Sequence, residues 1–160
     1  MIDFDWIIPN ELGLSSKPMA IDDISSWINI GIRAVLILVE DHEMNHIGGV
    51  DRYKSILSHL GLDYLHLPIR DFWIPPFENA LLAVKWISNK VKENKPVVIH
   101  CNAGLGRSGL MAACYLIYIR KMRSSEAISV VRENRFGALE SEIQVAFVFK
   151  FEDILRKKES

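Results

Sequence analysis

The chain has 160 residues, 49% hydrophobic and 24% charged, with a formal net charge of −1 at pH 7. That is material for one domain with a real core, taken as residues 1–160, and the near-zero balance excludes the basic footprint of a nucleic-acid binder or a membrane-surface protein. The longest apolar stretch, around 110–119, is too short to span a bilayer, and Met1-Ile2-Asp3-Phe4-Asp5 lacks the basic start of a signal peptide, so a cytoplasmic monomer is expected. Two cysteines in such a compartment argue against a disulfide framework. Cys114, on an apolar helical stretch, reads as a small core residue.

In chain order, Phe4 to Ile8 reads as a strand ended by Pro9-Asn10, and Leu12 to Leu14 as a second, both at a sheet edge. Residues 21–30 form a short helix stopped by Gly31, and Ile32 to Leu38 is a β-branched strand that opens a parallel sheet. Next, His42-Glu43-Met44-Asn45-His46 spells H-E-x-x-H, the zinc-protease pattern. It comes directly off a strand, however, runs into Gly48-Gly49, and has Arg52 where the extended pattern needs a third histidine. No metal is expected there, and Glu40-Asp41 reads as a solvated loop.

Tyr53, Ile56, Leu57 and Leu60 recur at helical spacing up to Gly61, and 63–67 alternates as the next strand, with His66 a packed side chain. The connection 69–76 carries Asp71, Trp73 and two prolines. A rigid, aromatic-anchored loop bearing one acid is suited to delivering a proton. Phe77, Ala80, Leu81, Val84, Ile87 and Val91 mark a helix that returns the chain to a strand over 97–100. Strands alternating with helices of this length imply an α/β fold with a central, mostly parallel sheet of four to five strands and helices on both faces. Beyond residue 110 the chain is helical, with helices opening at Ser124 and Ser141.

The stretch Pro96-Val97-Val98-Ile99-His100-Cys101-Asn102-Ala103-Gly104-Leu105-Gly106-Arg107-Ser108-Gly109 is strand, glycine-bearing loop and helix start. Loop N–H groups and a helix N-terminus converging on one point form a cradle for an oxyanion such as phosphate. Cys101 opens the loop, where the helix dipole and the Arg107 guanidinium favour its thiolate; Arg107 offers a planar fork for two phosphate oxygens.

His100-Cys101, five residues, then Arg107-Ser108-Gly109 resembles the signature loop of the cysteine-dependent protein-tyrosine and dual-specificity phosphatases. The resemblance is closest to compact single-domain members, including those of archaea, and covers roughly residues 30–150. It implies a metal-free, cofactor-free mechanism. Cys101 attacks phosphorus, while Arg107 and the backbone amides of Asn102, Ala103, Gly104, Leu105 and Gly106 hold the equatorial oxygens. Asp71, at a spacing from Cys101 similar to that in such phosphatases, is the general acid and then the base. Here Arg70 stands where similar proteins often have Pro, which suits an acid only if the guanidinium points outward. Ser108 donates to the thiolate, caps the helix, or does both. Gln144 is either the water-positioning Gln of similar proteins or the capping-box partner of Ser141. Glu40-Asp41 likewise has a second reading, as the variable loop beside the site.

Two other functions fit parts of the pattern. Gly104-Leu105-Gly106-Arg107-Ser108-Gly109 also spells a dinucleotide fingerprint, but the second strand ending in an acid that a Rossmann unit needs is absent. A non-catalytic phosphopeptide-binding module would lack the nucleophile or the acid, and this chain has both. The five residues between Cys101 and Arg107 are uncharged, so the loop balances one phosphate rather than several. Phosphorylated proteins are the expected substrates, phosphotyrosine preferred and phosphoserine and phosphothreonine also accepted.

Overall fold

The computed structural model describes residues 2–159. Five strands form one sheet in the order β1-β2-β5-β3-β4, where β1 is Phe4–Ile8, β2 Leu12–Ser16, β3 Ala34–Ile37, β4 Asp63–His66 and β5 Val97–Cys101. Only the β1–β2 pairing is antiparallel; β2–β5, β5–β3 and β3–β4 are parallel. The expected α/β sheet is therefore present. One strand differs from expectation: β2 is interior rather than at an edge. Its Leu12 and Leu14 are fully buried, and it continues two residues further to set Ser16 beside Cys101.

Because β-strand side chains alternate between faces, the buried strands feed two cores. Leu36, Val97 and Ile99 pack against the helices α3 (Phe77–Lys92), α4 (Gly106–Arg120), α5 (Ser124–Asn134) and α6 (Glu142–Glu159). Val35, Ile37 and Val98 face the other way, onto α1 (Ile21–Asn29) and α2 (Val50–His59), through Ile24, Trp27, Tyr53 and Leu57. At roughly 1.5–3 kcal/mol for each fully buried aliphatic or aromatic side chain, these two layers are what hold the sheet, and with it the end of β5, in place.

α4 is buried along Gly106–Ile117, apolar on all sides as a helix at the centre of a domain must be. It begins four residues before the apolar run that starts at Leu110, taking Arg107 and Ser108 into its first turn. The H-E-x-x-H segment is also more ordered than a loop: Asp41–Ile47 is a 3₁₀ helix with a non-helical kink at Met44. A capping box opens it, in which the Glu43 carboxylate accepts the Glu40 N–H at 2.8 Å. The Asp41 carboxylate accepts the Val50 N–H at 2.9 Å. Glu40 and Asp41 therefore fasten the segment between β3 and α2. Among the described residues no helix is long and apolar enough to cross a membrane.

Candidate active site

Cys101 ends the central strand and is 3% exposed, with α4 starting five residues later. The turn between them is held from outside by its carbonyls. Lys17 N–H donates to Asn102 O at 3.1 Å, and Gly109 N–H and Leu139 N–H both donate to Leu105 O at 3.0 Å. The Arg135 guanidinium donates to Ala103 O at 2.9 Å and to Gly104 O at 2.6 Å. Among the described residues there is no cis peptide. In a trans peptide the C=O and the following N–H point in opposite directions, so four outward carbonyls leave the N–H groups of Ala103, Gly104, Leu105 and Gly106 facing inward. The first-turn amides of α4 join them, since the first four N–H groups of a helix have no partner within it.

Two glycines make this path possible. Gly104 has φ +73°, and a Cβ there would run into the Ser15 backbone carbonyl. At Gly106 a Cβ would come within 2.8 Å of Gln144 Oε1 and of Glu140 Oε1, so its absence lets those side chains close over the turn.

Arg107, 1% exposed, is held differently from the expected free fork. Its Nη1 and Nη2 donate to the two Glu43 oxygens at 2.8 and 2.7 Å, and Nη1 also donates to Ile69 O at 2.8 Å. The end of the guanidinium is thus occupied by a carboxylate. The side edge, Nε–H with the second Nη2–H, is what remains for an oxyanion, and Nε is buried without a partner. Burial alone would lower the Arg107 pKa, but the hydrogen bond to Glu43 and the charges of Cys101, Glu43 and Asp71 outweigh it, and the group is held above its usual value. For Glu43 burial acts upward, yet the Arg107 hydrogen bond, the Glu40 backbone and the charges of Arg107 and His42 pull it below the usual 4.5. The pair is ionised.

In the sequence Glu43 stands inside the H-E-x-x-H pattern, and its 64-residue separation from Arg107 leaves no trace in local periodicity. His46 does not join it as a ligand: its Nε2 bonds Pro18 O at 2.9 Å. Ligand-type atoms of Glu40, His42 and Glu43 do lie within 4.8 Å of one another, but both Glu43 oxygens are engaged by Arg107.

The structure brings Asp71 to this centre, with Oδ1 3.2 Å from Arg107 Nη2 and the side chain 42% exposed. Arg70 beside it is exposed. The aromatic anchor expected for this loop is absent, because Phe72 and Trp73 are both about half exposed. Instead their carbonyls are tied down: Ser141 Oγ donates to Phe72 O at 3.3 Å and Gln144 Nε2 to Trp73 O at 3.2 Å, while Pro75 is buried. Phe72 takes φ +63°, a costly conformation for a bulky residue that places the adjoining Asp71.

Of the two readings of Gln144, the structure shows the capping box. Ser141 N–H donates to Gln144 Oε1 and Gln144 N–H to Ser141 Oγ, each at 3.3 Å, a capping box, while its Nε2 reaches the acid loop. Ser108 does not cap: it is the third residue of α4, and its buried hydroxyl makes no hydrogen bond. Next to Cys101, His100 is fully buried, sharing a 2.9 Å hydrogen bond with Tyr53 Oη and stacked on Trp27 at 5.7 Å. Burial pushes its pKa down to about 3. Cys114 is buried in α4 and its thiol is pushed up by burial, as a core residue should be.

The chain matches the family model described as PTP-SAK, a Swiss Army Knife protein DSP-PTPase phosphatase domain, over residues 1–148. It is 26% identical over 161 aligned residues to mouse protein tyrosine phosphatase domain-containing protein 1, covering 94% of this chain but 21% of that protein. A phosphatidylglycerophosphate phosphatase of Arabidopsis thaliana is 31% identical over 71% of this chain and 32% of its own length. Among solved structures, Tk-PTP in the active form superposes with a TM-score of 0.78 at 34% identity, covering 89% of this chain and 92% of that one.

Proposed function

This chain belongs to the dual-specificity family of cysteine-based phosphatases, and from that premise we propose that it removes single phosphate groups from proteins, preferring phosphotyrosine. Phosphoserine and phosphothreonine are slower substrates on this reading. The observation that carries it is the ring of inward amides between Cys101 and Arg107, completed by the unpartnered Nε–H of a buried guanidinium. Such a cradle suits the spread charge of a transferring phosphoryl group, which preorganised donors stabilise without reorganising at the moment of reaction.

The Cys101 thiolate attacks phosphorus in line, and Asp71 gives its proton to the leaving oxygen, leaving a phosphocysteine. Water then attacks phosphorus with Asp71 taking its proton, and the thiolate departs, the otherwise unpartnered Ser108 Oγ–H donating to it. Gln144, fixed between its own helix cap and the acid loop, orients that water. The five residues from Asn102 to Gly106 carry no charge, so one phosphate is what the cradle balances; this supports a protein substrate over a phosphorylated lipid. A cytoplasmic, monomeric enzyme fits the composition.

The test is turnover of p-nitrophenyl phosphate, a phosphotyrosine peptide, its phosphoserine counterpart and phosphatidylglycerophosphate. Wild type should act fastest on the aryl esters, and Cys101→Ser should abolish turnover while retaining phosphate binding. Faster turnover of the lipid would overturn the substrate assignment, and activity in Cys101→Ser within about tenfold of wild type would overturn the nucleophile.

A further inference from the structure

Among the described residues, Arg135 is the one buried arginine outside the centre just described: 2% exposed, at the C-terminal end of α5. A guanidinium has five N–H donors, and all five are used here. Nε donates to Gly104 O at 2.6 Å; Nη1 donates to Asp3 Oδ1 at 3.1 Å and Asp5 Oδ2 at 2.9 Å; Nη2 donates to Asp3 Oδ2 and Ala103 O, both at 2.9 Å. One planar group therefore joins strand β1 to two successive carbonyls of the phosphate loop.

We propose that Arg135 is a positioning residue for phosphate capture, and that Asp3 and Asp5 orient it. By peptide planarity, a bond that holds Ala103 O outward holds the Gly104 N–H inward, and the bond to Gly104 O does the same for the Leu105 N–H. The Ser15 carbonyl and Arg135 Nη2 both crowd the place a Gly104 Cβ would take, so β2 and the guanidinium together leave room there only for glycine. The two carboxylates are largely exposed, 68% and 45%, and neutralise a cation that would otherwise be buried alone. Lysine cannot substitute. An ammonium has three donors at one point and cannot meet two carbonyls and two carboxylates in a plane.

The inference rests on the loop being the phosphate cradle, and the experiment separates the two ideas. The full chain is compared as wild type, Arg135→Lys, the Asp3→Asn/Asp5→Asn double variant, and Glu152→Gln. The last is a stability control, because Glu152 receives Ser124 N–H at 2.8 Å and Ser124 Oγ–H at 2.7 Å at the start of α5, with no bond to the loop. For each, the thermal midpoint, kcat, KM and the inhibition constant of inorganic phosphate against p-nitrophenyl phosphate are measured. Arg135→Lys should weaken phosphate about tenfold or more, with KM rising in step, and the double Asn variant should do so by about threefold. Glu152→Gln should lower the midpoint and leave phosphate affinity unchanged.

Phosphate affinity within about twofold of wild type in Arg135→Lys, whatever its midpoint, overturns the inference. If Arg135→Lys does not fold, the double Asn variant decides, since it keeps both carbonyl bonds and removes only the charges that aim them; unchanged phosphate affinity there overturns it equally. A wild type that neither binds phosphate nor turns over substrate overturns the cradle itself and this inference with it.

Discussion

Arg107 and Arg135 are both almost fully buried, and each lies against two carboxylates, yet the structure uses them in opposite ways. Around Arg135 every donor is spent on the protein. At Arg107 Glu43 takes only the end of the fork, the nearby Asp71 is half exposed, and Nε has no partner. A buried donor without an acceptor costs about 1–3 kcal/mol, which an arriving phosphate oxygen returns. Burial and charge alone thus do not tell the two arginines apart; the count of unspent donors does, and it is what supports phosphate binding at Arg107.

The contrast is broken most severely by removing the unspent edge. Arg107→Lys keeps the charge but loses the side fork, and kcat should fall about 10²–10³-fold in a p-nitrophenyl phosphate assay. A loss below about tenfold would show that the cradle depends on charge alone.

Next comes the carboxylate that is paired but exposed. Asp71→Asn should lower kcat by about 10²-fold on tyrosyl or alkyl phosphates and less on p-nitrophenyl phosphate, whose leaving group needs no proton. Equal losses on both substrates would place the acid elsewhere, whereas Asp3 and Asp5 should show no such leaving-group dependence.

Glu43→Gln keeps an acceptor for Arg107 and removes the charge, so kcat/KM should fall about tenfold and stability by about 1–3 kcal/mol, read by urea denaturation. Its pH signature sharpens the case. The folded Glu43 carboxyl lies below its usual 4.5, so its contribution is fully present above that value and lost as pH falls through the lowered one. Acidification below about pH 5 should therefore destabilise wild type more steeply than Glu43→Gln.

The smallest effect lies next to Cys101. Tyr53→Phe removes the hydroxyl bonded to His100 and should cost about 1 kcal/mol while leaving kcat within about threefold. His100 is kept neutral, its pKa lowered from 6.5 to about 3, so its effect on stability is nil above 6.5 and grows unfavourable as pH falls from there toward 3. Replacing His100 by Asn should flatten the stability profile between pH 6 and 5.

What the sequence by itself determined is what short-range physics writes into it. A β-branched run, a glycine turn and an apolar helix spell a strand–loop–helix cradle, and with them the positions of Cys101, Arg107 and Ser108 and the parallel sheet. Asp71 was legible as the one acid in a proline-bearing loop. Tertiary structure alone decided the partners. Glu43 sits 64 residues from Arg107, and Asp3 and Asp5 sit 132 and 130 residues from Arg135, distances over which no periodicity runs. β2 looked like an edge because its pairing with β5 crosses most of the chain. The capping box of Gln144 with Ser141 is local and was legible, whereas the bond of its Nε2 to Trp73 O and the close approach of its amide to Gly106 come only from packing. Periodicity and turn chemistry act over a few residues; which buried donor is left unspent depends on everything that folds around it.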